Sequence, residues 1–316
     1  MLSMSRRRFL QVTGGASAGL MAWQALAQTA PARSAMSLGY STYGMKTLTT
    51  EKALEVIHQT GFDAVEITVR ADWDAAPARM SAERRAAVRD ILKKTGLRLS
   101  ALMEHLYPSE DDKGHRESLE RLRGVYQLAR DLAPHPDQPP VVQTVLGDGD
   151  WEKKKSVYVD RVGDWAKLGQ SLGVITCVKP HRGGAMSQPS EAVWLIKQLD
   201  STPWLRMVYD YSHYAFRNIP LLDSLRDALP FTAHVAVKDT VQDGERFRFV
   251  LPGEAGTIDY VTILKTLHEG GYRGDINCEV SGMVWSKADY NPLDAVAVCH
   301  RNLTAAFEKA GVPHAP

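Results

Sequence analysis

The feature that most limits the folds open to this chain is a regular alternation of short apolar runs with longer amphipathic ones. Runs at 36–41, 64–68, 97–105, 141–146, 174–179, 206–210, 232–238 and 275–280 have the length and composition of strands. Segments 50–60, 81–95, 116–132, 154–172, 189–199, 220–229, 258–269 and 292–309 separate and follow them, with apolar residues at the spacing of one helix face. Several of these helices end at a glycine that leads into the next strand: Thr60-Gly61-Phe62-Asp63, Thr95-Gly96-Leu97, Leu172-Gly173-Val174 and Gly270-Gly271-Tyr272. Glycine takes the left-handed conformation that stops a helix without a Cβ clash. Eight such units predict an α/β chain folded as a single (β/α)8 TIM barrel over 36–312. A doubly wound sheet fits less well, because no G-x-G-x-x-G follows the first strand. The stretches 71–80, 134–140 and 240–256 lack periodicity and read as connecting loops.

The first residues stand outside that pattern. Ser5-Arg6-Arg7-Arg8-Phe9-Leu10 precedes an uncharged stretch from Val12 to Leu26 that closes on Ala25-Leu26-Ala27, a small-x-small cleavage pattern. Residues 1–27 therefore read as a twin-arginine signal peptide, which implies a periplasmic or secreted enzyme folded before export. The segment is too short and too weakly apolar for a transmembrane anchor, so no stable membrane insertion is expected after cleavage. Its removal takes the formal charge from +1 to about −2, with three arginines and no acids lost. Beyond the first ten residues no basic run could line a nucleic-acid groove, and the partner expected is a small-molecule sugar or polyol. The oligomeric state is left open, a homo-oligomer included. Cys177, Cys278 and Cys299 make no disulfide framework in a chain of this length and are expected as buried free thiols.

Chemistry in such a barrel sits at the C-terminal ends of the strands. Polar residues recur there: Glu66 after strand two, Glu104 and His105 after three, Lys179-Pro180-His181 after five, Asp210 through His213 after six, His234 through Asp239 in seven and Glu279 in eight. Charged side chains closing apolar strands are costly unless paired or bound to a metal. Oxygen and nitrogen donors without thiolate suit Mn2+, Mg2+, Co2+ or Zn2+, and such a cation would acidify carbon next to a carbonyl. Structural ion pairs around the rim are the alternative reading.

These residues also carry a resemblance. Val208-Tyr209-Asp210-Tyr211-Ser212-His213, Ala233-His234-Val235-Ala236-Val237-Lys238-Asp239 and Cys278-Glu279-Val280 resemble the strand ends of the xylose isomerase-like TIM-barrel superfamily of sugar isomerases and epimerases. Leu251 through Asp259 is similar to its P-G-x-G-x-I-D segment, and Gly271-Tyr272-Arg273-Gly274 to its G-Y-x-G. The resemblance implies Asp210, His234 and Glu279 as metal ligands, with Glu279 also an acid/base. It puts His213 against substrate hydroxyls and implies Lys238, Glu66 and His105 as pocket residues.

Strand five departs from that pattern. Ketose 3-epimerases of the superfamily have a metal-binding glutamate where this chain has Lys179, so a two-glutamate mechanism does not carry over. Strand alternation puts His181 on the side of Lys179, where it would act as a replacement ligand. Beside a metal, Lys179 is expected to have a depressed pKa and to act as a base. Lys179-Pro180-His181 is also similar to the His-Pro-His of inosose dehydratase-like members. Arg217 is a candidate clamp for an anionic group on the substrate. The function expected is a metal-dependent isomerase or epimerase of a ketosugar, keto-glycoside or polyol, with a β-eliminating lyase or dehydratase second. A non-catalytic exported carbohydrate-binding barrel is the reading from another class.

Overall fold

The computed structural model describes residues 34–315 apart from Asn218 and Glu245; the export segment expected over 1–27 lies outside them. Strands β1 (Ser37–Ser41), β2 (Ala64–Thr68), β3 (Arg98–Met103), β4 (Val141–Thr144), β5 (Thr176–Val178), β6 (Leu205–Tyr209) and β7 (Thr232–Val237) run parallel in chain order. β10 (Asp275–Cys278) closes the ring between β7 and β1. The (β/α)8 barrel read from the periodicity is the one observed.

Helices α1 (Thr50–Thr60), α2 (Ala82–Thr95), α3 (Asp112–Leu132), α4 (Trp151–Leu172), α5 (Pro189–Gln198), α6 (Leu221–Ala228), α7 (Tyr260–Glu269) and α9 (Pro292–Ala310) surround it, and a short α8 (Gly282–Trp285) follows β10. α3 and α4 begin about a turn earlier than the apolar periodicity indicates. Asp111 and Asp150 cap them, accepting from the Gly114 and Lys153 backbone N–H groups. Gly61 and Gly173, at φ 102° and 69°, supply the left-handed helix ends expected of them. The main apolar core lies between strands and helices and includes Leu54, Leu122, Trp165 and Leu303. Cys177, Cys278 and Cys299 are buried free thiols. Among the described residues no helix is long and apolar enough to cross a membrane.

One segment departs from the sequence reading. The stretch 240–256 was expected to be a loop, but it contains most of an antiparallel hairpin of β8 (Asp239–Asp243) and β9 (Arg246–Val250). Its root is Asp239, buried, whose carboxylate accepts from the backbone N–H groups of Gly253, Ala255 and Gly256 and from the Tyr260 hydroxyl. This collar accounts for the Pro-Gly-Glu-Ala-Gly sequence: Gly253 and Gly256 sit at φ 71° and 63°, which other residues rarely adopt. Asp239→Ala would strand four donors around one deleted acceptor, at an expected cost of about 3 kcal/mol measured by urea denaturation. An unchanged midpoint would contradict the collar.

Candidate active site

Four charged side chains from four strand ends meet at the barrel mouth. Lys179 follows β5, Asp210 follows β6, Lys238 follows β7 and Glu279 follows β10. The backbone there is still held by the ladder, with Lys179 N–H donating to Thr144 and Glu279 N–H to Val237. Lys179 Nζ lies 2.6 Å from Glu279 Oε2 and 2.8 Å from Asp210 Oδ2. Lys238 Nζ lies 2.5 Å from Asp210 Oδ2 and 2.8 Å from Glu279 Oε1. Each ammonium thus bridges both carboxylates. Glu279 keeps 6% exposure and Lys179 3%, while Asp210 has none.

The Asp210-Tyr211-Ser212-His213 sequence is a turn that folds back on itself. Asp210 caps the 3-10 turn Tyr211–His213, with Oδ1 accepting from the Ser212 N–H and hydroxyl. The turn returns the His213 ring to Asp210, Nε2 3.4 Å from Oδ2. His213 Nδ1 accepts the Arg182 backbone N–H at 3.3 Å, which places the proton of the neutral ring on Nε2. His181 packs against His213 with ring centroids 4.4 Å apart, and its Nδ1 accepts the Gly183 N–H.

The electrostatics follow from burial and the two lysines. Burial alone raises the Asp210 and Glu279 carboxyls, but Lys179 and Lys238 outweigh it and hold both below the ordinary carboxylate range. Burial likewise works against the Lys179 ammonium, and Asp210 and Glu279 overcome it and hold the amine above the ordinary lysine value. This reverses the depressed pKa expected from the sequence: the neighbours of Lys179 are carboxylates, so in the resting site it is an acid and not a base. Burial and then the Lys238 charge push His213 down to about 4. Burial, with His213 and the lysines, pushes His181 down to about 2.

These two histidines fix a sign for acid stability. A free histidine titrates near about 6.5, so on acidification the unfolded chain takes up the protons first, and their contribution is complete above that value. As pH falls from 7 towards 4, stability is expected to drop by about 3 kcal/mol for His213 alone. Urea melts at pH 7 and 5 measure it; equal midpoints would contradict the buried neutral ring.

His234 is elsewhere. It lies near the start of β7, four residues before Lys238, about 13 Å back along the strand. Its Nε2 is 3.0 Å from Glu66 Oε2, which also accepts from Gln143 Nε2 at 2.9 Å. Glu66 and His234 therefore form a polar crosslink inside the barrel, and Ala236, which packs with Cys177 and Val208 in a small apolar cluster, stands between His234 and Lys238 on the inward face of β7. Arg217 is also committed: its guanidinium donates to the Ser187 and Arg182 carbonyls, tying two loops together and not presenting a clamp. His105 is at the rim, where burial and then Arg70 push it down to about 4 and where it feels Glu279 and Lys179. Glu104 is taken up by Arg121.

Two groups at the mouth were not singled out by the sequence. Tyr43, after β1, lies close enough to feel Glu279, Lys179 and Arg70, and it stacks on Trp73 with Trp285 edge-on. Phe249 of the hairpin covers the other side, 5.1 Å from the His213 ring and 5.2 Å from Lys238 Nζ. Trp151, at the start of α4, packs on Tyr158 and Trp194.

Residues 54–297 match the family described as Xylose isomerase-like TIM barrel, more than half of the chain. The chain belongs to that family. An Escherichia coli (strain K12) protein named "Putative L-ribulose-5-phosphate 3-epimerase SgbU" is 24% identical over 284 residues, 84% of this chain and 94% of its own length. Two solved structures share the fold. E. coli YcjR, a 3-keto-D-glucoside 4-epimerase in its apo form, has a TM-score of 0.66 at 14% identity, covering 86% of this chain and 99% of its own. The IOLI protein with a bound zinc atom has a TM-score of 0.72 at 18% identity, covering 87% and 99%.

The metal implied by such relatives can be tested against the side chains present. Asp210, His213 and Glu279 offer ligand atoms within 4.8 Å of one another. The two carboxylates already have the two ammoniums at 2.5–2.8 Å, and the charges of the four groups sum to zero. A divalent ion between the carboxylates would meet both ammoniums at close range, and that repulsion offsets the attraction of carboxylates the lysines already neutralise. His213 offers no lone pair towards the carboxylates, because its Nδ1 is spent on Arg182. The resident groups do not fit a divalent cation as they stand.

Proposed function

We propose that this protein is an exported carbohydrate-modifying enzyme, an isomerase or epimerase of a free keto-sugar, keto-glycoside or polyol, acting by proton transfer at carbon next to a carbonyl. The single observation that carries the reading is the buried network of two carboxylates and two ammoniums at the mouth of a barrel whose relatives include sugar epimerases. Each lysine spends two of its three N–H donors on Asp210 and Glu279, which leaves one on each for a carbonyl oxygen. Glu279 is the most exposed of the four and serves as the base. The C–H bond breaks, its proton passes to Glu279, its electron pair becomes the C=C bond of the enolate, and the carbonyl π pair moves onto oxygen under the two ammoniums. As a substrate oxygen draws the ammoniums, Glu279 loses part of the charge that held its proton affinity down, so binding arms the base.

The two ammoniums also support a second outcome. An enolate with a hydroxyl or glycosidic oxygen on the next carbon loses that group once a lysine protonates it, which is β-elimination. A sugar bearing no phosphate fits an exported enzyme, and two of the Arg217 donors are already held by the Ser187 and Arg182 carbonyls. The test is a screen of free keto-sugars and keto-glycosides in D2O, with NMR detection of deuterium at carbon and of product. Exchange supports the enzyme, a shortened or unsaturated product selects the lyase, and no exchange with any carbonyl sugar would leave the carbohydrate-binding barrel as the better reading.

A further inference from the structure

We propose that this barrel carries out its chemistry without a resident divalent cation, the ammonium groups of Lys179 and Lys238 standing where a metal would join Asp210 to Glu279. The proposal rests on the functional reading above for what the mouth does, but the geometry that carries it is independent of the substrate. A metal in such a site has two tasks: to hold two like-charged carboxylates side by side, and to present positive charge to a substrate oxygen. The two lysines do both. Each spans Asp210 and Glu279, so the four contacts form a closed ring of alternating charge with no side left for a further cation. The spare N–H on each nitrogen then supplies the charge towards a ligand.

The surroundings are built for ammoniums. Phe249 presents its ring to Lys238 Nζ at 5.2 Å, a cation–π contact that a hydrated metal ion would not use. The inward position below Lys238 on β7 is Ala236, which carries no donor atom, and the histidine of that strand is tied to Glu66 at the level below. His213 and His181 each use Nδ1 as an acceptor for a main-chain N–H, so both rings turn an N–H and not a lone pair outward. No imidazole of the three is left to complete a coordination shell.

Metal content and melting temperature of the purified protein test this without reference to turnover. The wild-type protein is expected to hold less than about one-tenth of an equivalent of Mn, Co or Zn by plasma mass spectrometry, and to melt within about 1 °C of the same temperature in EDTA, MnCl2 or ZnCl2. One tightly held equivalent whose removal by EDTA lowers the melting temperature by about 5 °C would overturn the proposal. Lys179→Glu provides the converse: relief of one ammonium and gain of a carboxylate should tighten Mn2+ binding by about 100-fold or more in calorimetric titration. Unchanged Mn2+ affinity in a folded Lys179→Glu protein would also count against it, and should that variant not fold, the wild-type measurements decide alone. A metal-free protein that exchanges no carbonyl sugar would refute the enzyme and leave standing only the part of this inference that puts the lysines in place of a metal. A metal-bound one that exchanges would do the reverse.

Discussion

Lys238→Met is expected to lower stability by about 3–5 kcal/mol, although methionine nearly matches the lysine stem in length and apolar character. The reason is what the substitution leaves behind. Asp210 and Glu279 would share the single ammonium of Lys179, and one buried negative charge would have no partner. Removing one member of a buried ion cluster costs more than the cluster contributes, because the survivor cannot return to water. The double substitution Lys238→Met with Glu279→Gln restores the charge balance and should recover part of that loss, a coupling of about 1–3 kcal/mol in a double-mutant cycle. Urea denaturation measures all three variants. Strict additivity of the two changes would show that Lys238 and Glu279 do not meet.

Asp210→Asn is expected to cost a similar amount for the opposite reason. Two ammoniums would then face one carboxylate, and the amide that replaces Oδ2 brings hydrogens towards Lys179 and Lys238. Asp210 also caps the turn that carries His213, through Oδ1 and Ser212, and asparagine keeps that oxygen, so the loss is the roughly 3 kcal/mol of the broken ion cluster. Acidification tests the ion pairing. In the wild-type protein the Asp210 carboxyl is held below its ordinary range, so its contribution is complete above pH about 4 and fades as pH falls further. The variant lacks that fading term, and the gap between the two proteins is expected to narrow in acid. A gap that stays constant to the lowest pH at which both fold would contradict the ion pairing.

Much of this was legible in the chain. Helix and strand periods, with glycines such as Gly61 and Gly173 at helix ends, determined the barrel, because each local preference agreed with the closed fold. The strand-end polar residues Lys179, Asp210, Lys238 and Glu279 were identifiable for the same reason: a charge at the end of an apolar strand demands a partner. Depth was harder to read. His234 lies two inward positions below Lys238, and only the length of β7 shows that it begins the strand and does not end it. Alternation alone gives the face and not the level.

The hairpin had a signal of its own. Asp243-Gly244 falls between Thr240-Val241-Gln242 and Arg246-Phe247-Arg248-Phe249, and Gly244 sits at φ 57°, the positive value such turns require. Its charged alternate positions masked the strand period. The sign of the Lys179 shift and the occupation of Arg217 were beyond any sequence pattern. Both depend on which distant groups arrive, two carboxylates in one case and two carbonyl oxygens in the other.

On the proposed reading the barrel mouth is a charge-balanced device in which Glu279 takes a proton and the lysines hold the oxygen. Deuterium exchange at the carbon of a responsive keto-sugar, compared between the wild-type protein and Glu279→Gln in the presence of EDTA, tests that most directly. The wild-type rate should persist in EDTA and fall by about 1,000-fold or more in Glu279→Gln. Exchange at the wild-type rate in Glu279→Gln would contradict the account.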